Sequence, residues 1–174
     1  KDKIEYIVVK DLPKDLAQIS SSDSFHEKNS KILLNALKRE NFQRNMLSKG
    51  LVDSNDEDLI FISDVDEIPN LENLKKIKKL NFFNQKMYYY KFNLEFENRV
   101  WVGTRACKKK YLRSPQWLRN IKFKHYPFWR IDTIFSKKKY MNINFVNQGG
   151  WHFTNIKTPK EIHYKLSNFL HHLE

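Results

Sequence analysis

The apolar run Leu59-Ile60-Phe61-Ile62-Ser63 ends abruptly in Asp64-Val65-Asp66-Glu67-Ile68-Pro69. A short run rich in β-branched and aromatic side chains predicts a buried strand, and the proline closes it. The end of such a strand is where α/β folds gather their chemistry. On an extended segment Asp64 and Asp66 point to opposite sides; once the chain turns off the strand, both can converge on one hard cation. Carboxylate oxygens in this arrangement suit Mg²⁺ or Mn²⁺, with a substrate phosphate completing the shell. The competing reading is a turn in which the two aspartates cap the next element. It leaves three neighbouring acids repelling one another unless donors or a cation offset them.

At 174 residues the chain suffices for one domain with a sizeable core, and 1–174 is read as a single unit. No stretch has the length of a transmembrane helix, and no signal-peptide pattern opens the sequence. With no such segment read, a cytoplasmic location is expected; the one cysteine, Cys107, excludes an intramolecular disulfide, so the fold does not depend on an oxidising compartment. The chain opens on Lys1, with a strand-like segment already at Ile4, which predicts a piece of something longer. The net charge of +12 is unevenly spread: residues 1–70 hold 10 basic and 14 acidic side chains, residues 71–174 hold 22 and 6. A basic half attracts nucleic acid, anionic membrane or phosphate-bearing small molecules. Clusters such as Lys75-Lys76, Lys108-Lys109-Lys110 and Lys137-Lys138-Lys139 also read simply as solvated faces.

The pattern along the chain is α/β without repeats. Glu5–Val9 reads as a strand and Ser20–Ser24 as a flexible loop. A helix is expected from about Lys28 to Lys49, burying Ile32, Leu33, Leu37 and Leu47 and ending at Gly50. Within it Glu40 and Arg44 are spaced to pair across the surface. Asn70 can cap a short helix that turns Leu71, Leu74 and Ile77 inward. Met87–Phe96 and Val100–Cys107 read as an aromatic hairpin, with Tyr88, Tyr90, Phe92, Leu94 and Phe96 on one face. Residues 108–144 are basic, aromatic and irregular, with Trp117, Tyr126, Phe128 and Trp129. Thr158-Pro159-Lys160-Glu161 is a capping box with proline at the first helical position; it opens a last helix on Ile162, Leu166, Phe169, Leu170 and Leu173.

A second constellation is Gly149-Gly150-Trp151-His152. With only four glycines in the chain, two adjacent ones mark a close backbone approach or a positive φ. His152 is placed to give a nitrogen ligand to the same metal or to be a partly buried histidine bonded to a backbone carbonyl. Trp151 suits a sugar face or the core.

The segment from Asp58 through Asp64-Val65-Asp66-Glu67-Ile68-Pro69, with Glu40-Asn41-Phe42-Gln43-Arg44-Asn45 upstream, resembles glycosyltransferase family 17, the β-1,4-mannosyl-glycoprotein β-1,4-N-acetylglucosaminyltransferases and their relatives. Gly150-Trp151-His152-Phe153, Pro159, Glu161-Ile162 and Lys165-Leu166 are similar to the family's later motif. The resemblance spans roughly residues 40–174 and lacks the family's amino-terminal portion. It implies an α/β fold of the GT-A type, with a mixed, mostly parallel sheet flanked by helices and truncated at its amino terminus. It also implies inverting transfer of an N-acetylglucosamine-type sugar from a nucleotide-sugar donor, a uridine diphosphate sugar above all, to a hydroxyl of a glycan acceptor. On that basis Asp64, Asp66 and His152 would hold Mn²⁺ or Mg²⁺, and Arg44 or Lys165 would meet the donor phosphates. Glu67 or Glu161, then Asp132, would be the general base. Trp101 and Trp151 would stack on the acceptor. No nucleic acid is expected on this reading, and the basic half is available for peripheral membrane contact.

Two other classes fit parts of the pattern. A haloacid dehalogenase-type phosphatase also ends a strand with Asp-x-Asp, using Asp64 as nucleophile and Asp66 as acid/base. It needs a later acidic pair for its metal, and after Asp66 the only aspartate is Asp132. A nucleic-acid-binding module would use the basic half and its interleaved aromatics, and its binding would survive removal of Asp64 and Asp66.

Overall fold

The computed structural model of the chain describes residues 4–124, 126–127 and 129–167, with Ile134 described by its backbone alone. Its helices and strands run α1 (Phe25–Asn45), β1 (Leu59–Ile62), β2 (Glu67–Pro69), β3 (Leu80–Tyr89), β4 (Glu95–Lys108), α2 (Pro115–Asn120), α3 (Asp132–Phe135), β5 (Ile143–Val146), β6 (Gly150–Thr154) and α4 (Pro159–Ser167). This is an α/β chain with two compact units. Ser54–Thr158 carries the six strands with α2 and α3, and Lys1–Asp53 with Pro159–Glu174 carries α1 and α4.

In the strand-bearing unit the sheet order is β1-β4-β3-β6-β2, with β5 also paired to β3. β4 is antiparallel to β1 and β3, and β2 is antiparallel to β6; β5 and β6 both run parallel to β3. The sheet is mixed, and the expectation of a mostly parallel one is corrected. The cause is local, because β3 returns as β4 over residues 90–94, and so short a connection permits only antiparallel pairing. β5 pairs with Leu80–Phe83 and β6 with Lys86–Tyr89 of β3. Between them the Gly149 N–H donates to Asn84 O at 2.7 Å.

The hairpin itself sits elsewhere than its aromatic spacing suggests. Tyr90 leaves the ladder with φ 64°, so Phe92 and Leu94 lie exposed in the turn, and residues 97–99 belong to β4. The start of β3 lacks alternation because Leu80, Asn81, Phe82 and Phe83 are all buried, a strand covered on both faces. Polar members are tolerated there because they are bonded. Asn81 Nδ2 donates to Lys78 O at 2.8 Å, and Gln85 Nε2 donates to Thr104 Oγ1 at 3.2 Å. The core gathers Phe83, Ala106 and Val146 with Leu59, Phe61 and Leu74. α2 packs against β1 and β4 and buries Leu118. Each such fully buried aromatic or leucine contributes roughly 1.5–3 kcal/mol.

Other expectations shift for similar reasons. Residues 5–9 form no strand: Ile4, Tyr6 and Val8 are exposed, and among the described residues no neighbouring strand satisfies that backbone. Ser20–Ser24 is a capping segment, since Ser24 Oγ accepts from the Glu27 N–H and Glu27 Oε2 from the Ser24 N–H. α1 continues into a 3₁₀ turn, Met46–Leu51, so Gly50 does not end it. Leu37 and Leu47 are exposed, while Asn35 is buried, exchanging hydrogen bonds with Ala17 N–H and O at 2.7 and 2.8 Å. The Asn70 helix is a single 3₁₀ turn, Leu71–Asn73, with Leu71 and Ile77 exposed. α4 starts at Pro159 as its capping sequence predicts. Its Leu166 is exposed, and Phe169, Leu170 and Leu173, like Phe128, lie outside the described residues. Among the described residues no helix is long and apolar enough to cross a membrane.

Gly150 secures the join of β6 to β2. Its φ is +125°, and a Cβ there would stand 2.0 Å from Ile68 O and 2.8 Å from Asn70 N. Gly150→Ala is therefore expected to cost about 3 kcal/mol, read by urea unfolding. A loss below about 1 kcal/mol would contradict this close approach.

Candidate active site

Beyond β1 the chain turns at once. The Glu67 N–H donates to Asp64 O at 3.0 Å, which makes Asp64-Val65-Asp66-Glu67 a β-turn with Val65 and Asp66 at its corners. Ser63 Oγ and Thr104 Oγ1, 2.6 Å apart, tie the strand end to β4. After the turn, Asp66 O accepts from the Phe153 N–H at 2.9 Å, and β2 places Glu67 opposite His152 of β6.

Glu67 has a side chain 0% exposed and is the hub of the cluster. Arg119 of α2 meets it with a two-pronged fork, Nη1 to Oε2 and Nη2 to Oε1, both at 2.9 Å. Trp101 Nε1–H donates to Oε1 at 2.8 Å and the Asp64 N–H to Oε2 at 3.1 Å. With four donors on two oxygens, this buried carboxylate is built to organise the turn, and the general-base role assigned to it does not fit that saturation. Arg119 also donates from Nη2 to Asp64 Oδ2 at 2.8 Å and from Nη1 to Gly103 O at 2.7 Å.

The arginine is itself held. Arg105 Nη1 donates to the carbonyls of Leu118 at 2.9 Å, Ile121 at 2.8 Å and Arg119, closing the carboxyl end of α2. Its guanidinium lies 4.6 Å over the Phe82 ring. Gly103 lies close beneath: a Cβ at that position would stand 1.8 Å from Gln85 Oε1 and 2.8 Å from Trp101 Cδ1, so a larger residue would displace those side chains.

Above the turn, His152 is buried and stacks on Trp101, with centroids 4.5 Å apart and planes 10° apart. Its Nε2 lies 3.4 Å from Asp66 Oδ2, and Thr154 Oγ1 is 3.2 Å from either ring nitrogen. Asp66 is 40% exposed, so a histidine nitrogen and a solvent-facing carboxylate stand side by side at the rim.

Comparisons with protein-family models, curated proteins and solved structures give no match. The chemistry of the site therefore rests on its own residues. Of those expected from the sequence, Asp64, Asp66, Glu67, Trp101 and His152 come together. Trp101, bonded to Glu67 and stacked on His152, is an internal member rather than an open platform for an acceptor. Trp151, opposite Ile68 on β6, is 39% exposed. Arg44, Glu161 and Lys165 belong to the other compact unit. There Arg44 pairs with Glu40 at 2.9 Å, and Glu161 and Lys165 occupy the first and last turns of α4. Asp132 is held by Arg130 at 2.6 Å and Lys139 at 2.7 Å. Hydrogen bonds from Arg130, then Lys139, keep its carboxyl well below the usual range, which makes it a poor base.

Arg119, Arg105 and Gly103 were not anticipated. The signal for α2 was nevertheless present, because Ser114-Pro115 is the same cap-plus-proline pattern as Thr158-Pro159. Ser114 Oγ accepts from the Trp117 N–H at 3.1 Å.

The donor set bears directly on the expected metal. Among the described residues no three or more His, Cys, Asp or Glu side chains are grouped so as to hold a metal ion. Asp66 and His152 are adjacent, and Asp64 is engaged by Arg119. Two such donors leave most of an ion's shell to be filled by other oxygens, as substrate phosphate and water do for Mg²⁺.

Proposed function

We propose that this chain carries the donor-binding centre of a metal-dependent, inverting glycosyltransferase of GT-A type, related to family 17, transferring an N-acetylglucosamine-type sugar from a uridine diphosphate donor to a glycan hydroxyl. The observation that carries this reading is the Asp64–Glu67 turn, clamped from below by Arg119 and Trp101 and presenting Asp66 beside His152. Asp66 and His152 would hold the cation, with Asp64 at the foot of the turn. A cation held there would supply Lewis-acid stabilisation of the charge on the departing nucleoside diphosphate. Glu67 and Arg119 position the turn. Trp101 orients the His152 ring by stacking, and Trp151 offers a ring to the acceptor sugar. Pairing of Asp64 with Arg119 speaks against the phosphatase alternative, which needs that carboxylate as a nucleophile.

The test is turnover of a panel of nucleotide sugars with Mn²⁺ and with chelator. Hydrolysis or transfer of a uridine diphosphate sugar that requires Mn²⁺ is expected. Absence of both turnover and Mn²⁺-dependent donor binding across the panel would overturn the assignment.

A further inference from the structure

The strand-bearing unit holds two clefts apart from the acidic turn, and both are lined by Glu95 and Arg99. One, of about 410 Å³, is walled by Tyr89, Tyr90, Leu94 and Phe96. The other, of about 260 Å³, is lined by carboxamides, Asn84, Gln85, Asn147 and Gln148, with Lys86 and Glu97. Their shared wall is made by a register shift in the hairpin. Between the pairs Lys86↔Val100 and Tyr88↔Glu95, β3 spends one residue, Met87, while β4 spends residues 96–99. A register shift of this kind, like a bulge, re-aims side chains next to binding sites.

We infer that these clefts bind a neutral oligosaccharide, the aromatic cleft taking a sugar ring and the carboxamide cleft its hydroxyl-bearing neighbours. Three observations select that ligand. Tyr89 and Phe96 meet edge to face at 6.1 Å, and Tyr90, 51% exposed, is held at a φ of 64° that bulky residues rarely adopt. Such amphipathic rings suit the apolar face of a pyranose. The Arg99 side chain makes no hydrogen bond or ion pair with any described residue, leaving a fork of donors at the junction of the clefts. Charge is balanced: Lys86 and Arg99 against Glu95 and Glu97, with Lys86 and Tyr88 Oη already on Glu95 at 3.0 and 3.2 Å. A polyanion would meet two carboxylates there. A hydroxyl-rich ligand meets donors and acceptors in equal supply.

This site does not depend on the donor chemistry proposed above, and its test is arranged accordingly. A neutral N-acetylglucosamine trisaccharide is titrated into the whole protein in chelator, followed by ligand-observed NMR, beside a sulfated trisaccharide of equal length. The neutral sugar is expected to bind, with Kd raised roughly tenfold or more by Phe96→Ala and by Arg99→Ala, both surface substitutions. Asp66→Ala should leave that Kd within about twofold. No saturable binding up to about 10 mM would overturn the proposal. So would preference for the sulfated sugar, or loss that follows Asp66 rather than Phe96 and Arg99. Saccharide binding by a protein that turns over no nucleotide sugar would leave this site standing and remove only the transferase reading.

Discussion

Replacing Arg119 with methionine is expected to cost roughly 3–5 kcal/mol of stability, the usual penalty for stranding one member of a buried ion pair. Arg119 is 11% exposed and Glu67 is 0% exposed, so the carboxylate left behind has no route to water. It would keep only the Trp101 and Asp64 N–H donors, too few to offset a buried charge. Glu67→Gln added to Arg119→Met removes that charge while preserving shape, and it should recover part of the loss. Chemical denaturation of the two single variants and the double variant forms the cycle that reads this coupling. A loss below about 1 kcal/mol in Arg119→Met would mean the fork does not hold the turn.

Asp66→Ala should act in the opposite manner, with little effect on folding and a large one on donor chemistry. The side chain is 40% exposed at a turn corner, where substitutions usually change stability by less than about 0.5 kcal/mol. Losing a carboxylate that anchors the ion should remove several kcal/mol of stabilisation for the departing diphosphate, on the order of a thousandfold in kcat/KM. Asp64→Asn offers a contrast, because it weakens the pairing with Arg119 as well. It should lower both stability and turnover, each by less than the residue that dominates it.

These expectations rest on features of unequal legibility. β1 and its acids could be read directly, because an apolar run ending in carboxylates is a local pattern. The same holds for the cap of α4 and for the glycine pair, Gly150 at a positive φ against Ile68 and Gly149 close against Val146 and Phe83. The role of Glu67 was not readable, since it is decided by Arg119 and Trp101, far along the chain and brought in by α2 and β4. Burial and four donors turn an apparent base into a positioning group. The β3 strand was misplaced because Asn81 and Gln85 break its apolar run, yet both are buried and bonded. The mostly parallel sheet was an expectation of the GT-A resemblance alone; the residues themselves pointed to a hairpin, whose turn lies at 90–94. Strand pairing for Glu5–Val9 failed for the converse reason: an apolar run was present, but among the described residues a partner strand was not.

The most direct measurement is calorimetric titration of uridine diphosphate into the wild-type chain and Asp66→Ala, each with Mn²⁺ and with chelator. The account predicts saturable binding that requires both Mn²⁺ and Asp66, at unchanged thermal stability of the variant. Equal binding by wild type and variant, or binding that persists in chelator, would contradict the placing of the metal-held diphosphate at the Asp64–Glu67 turn.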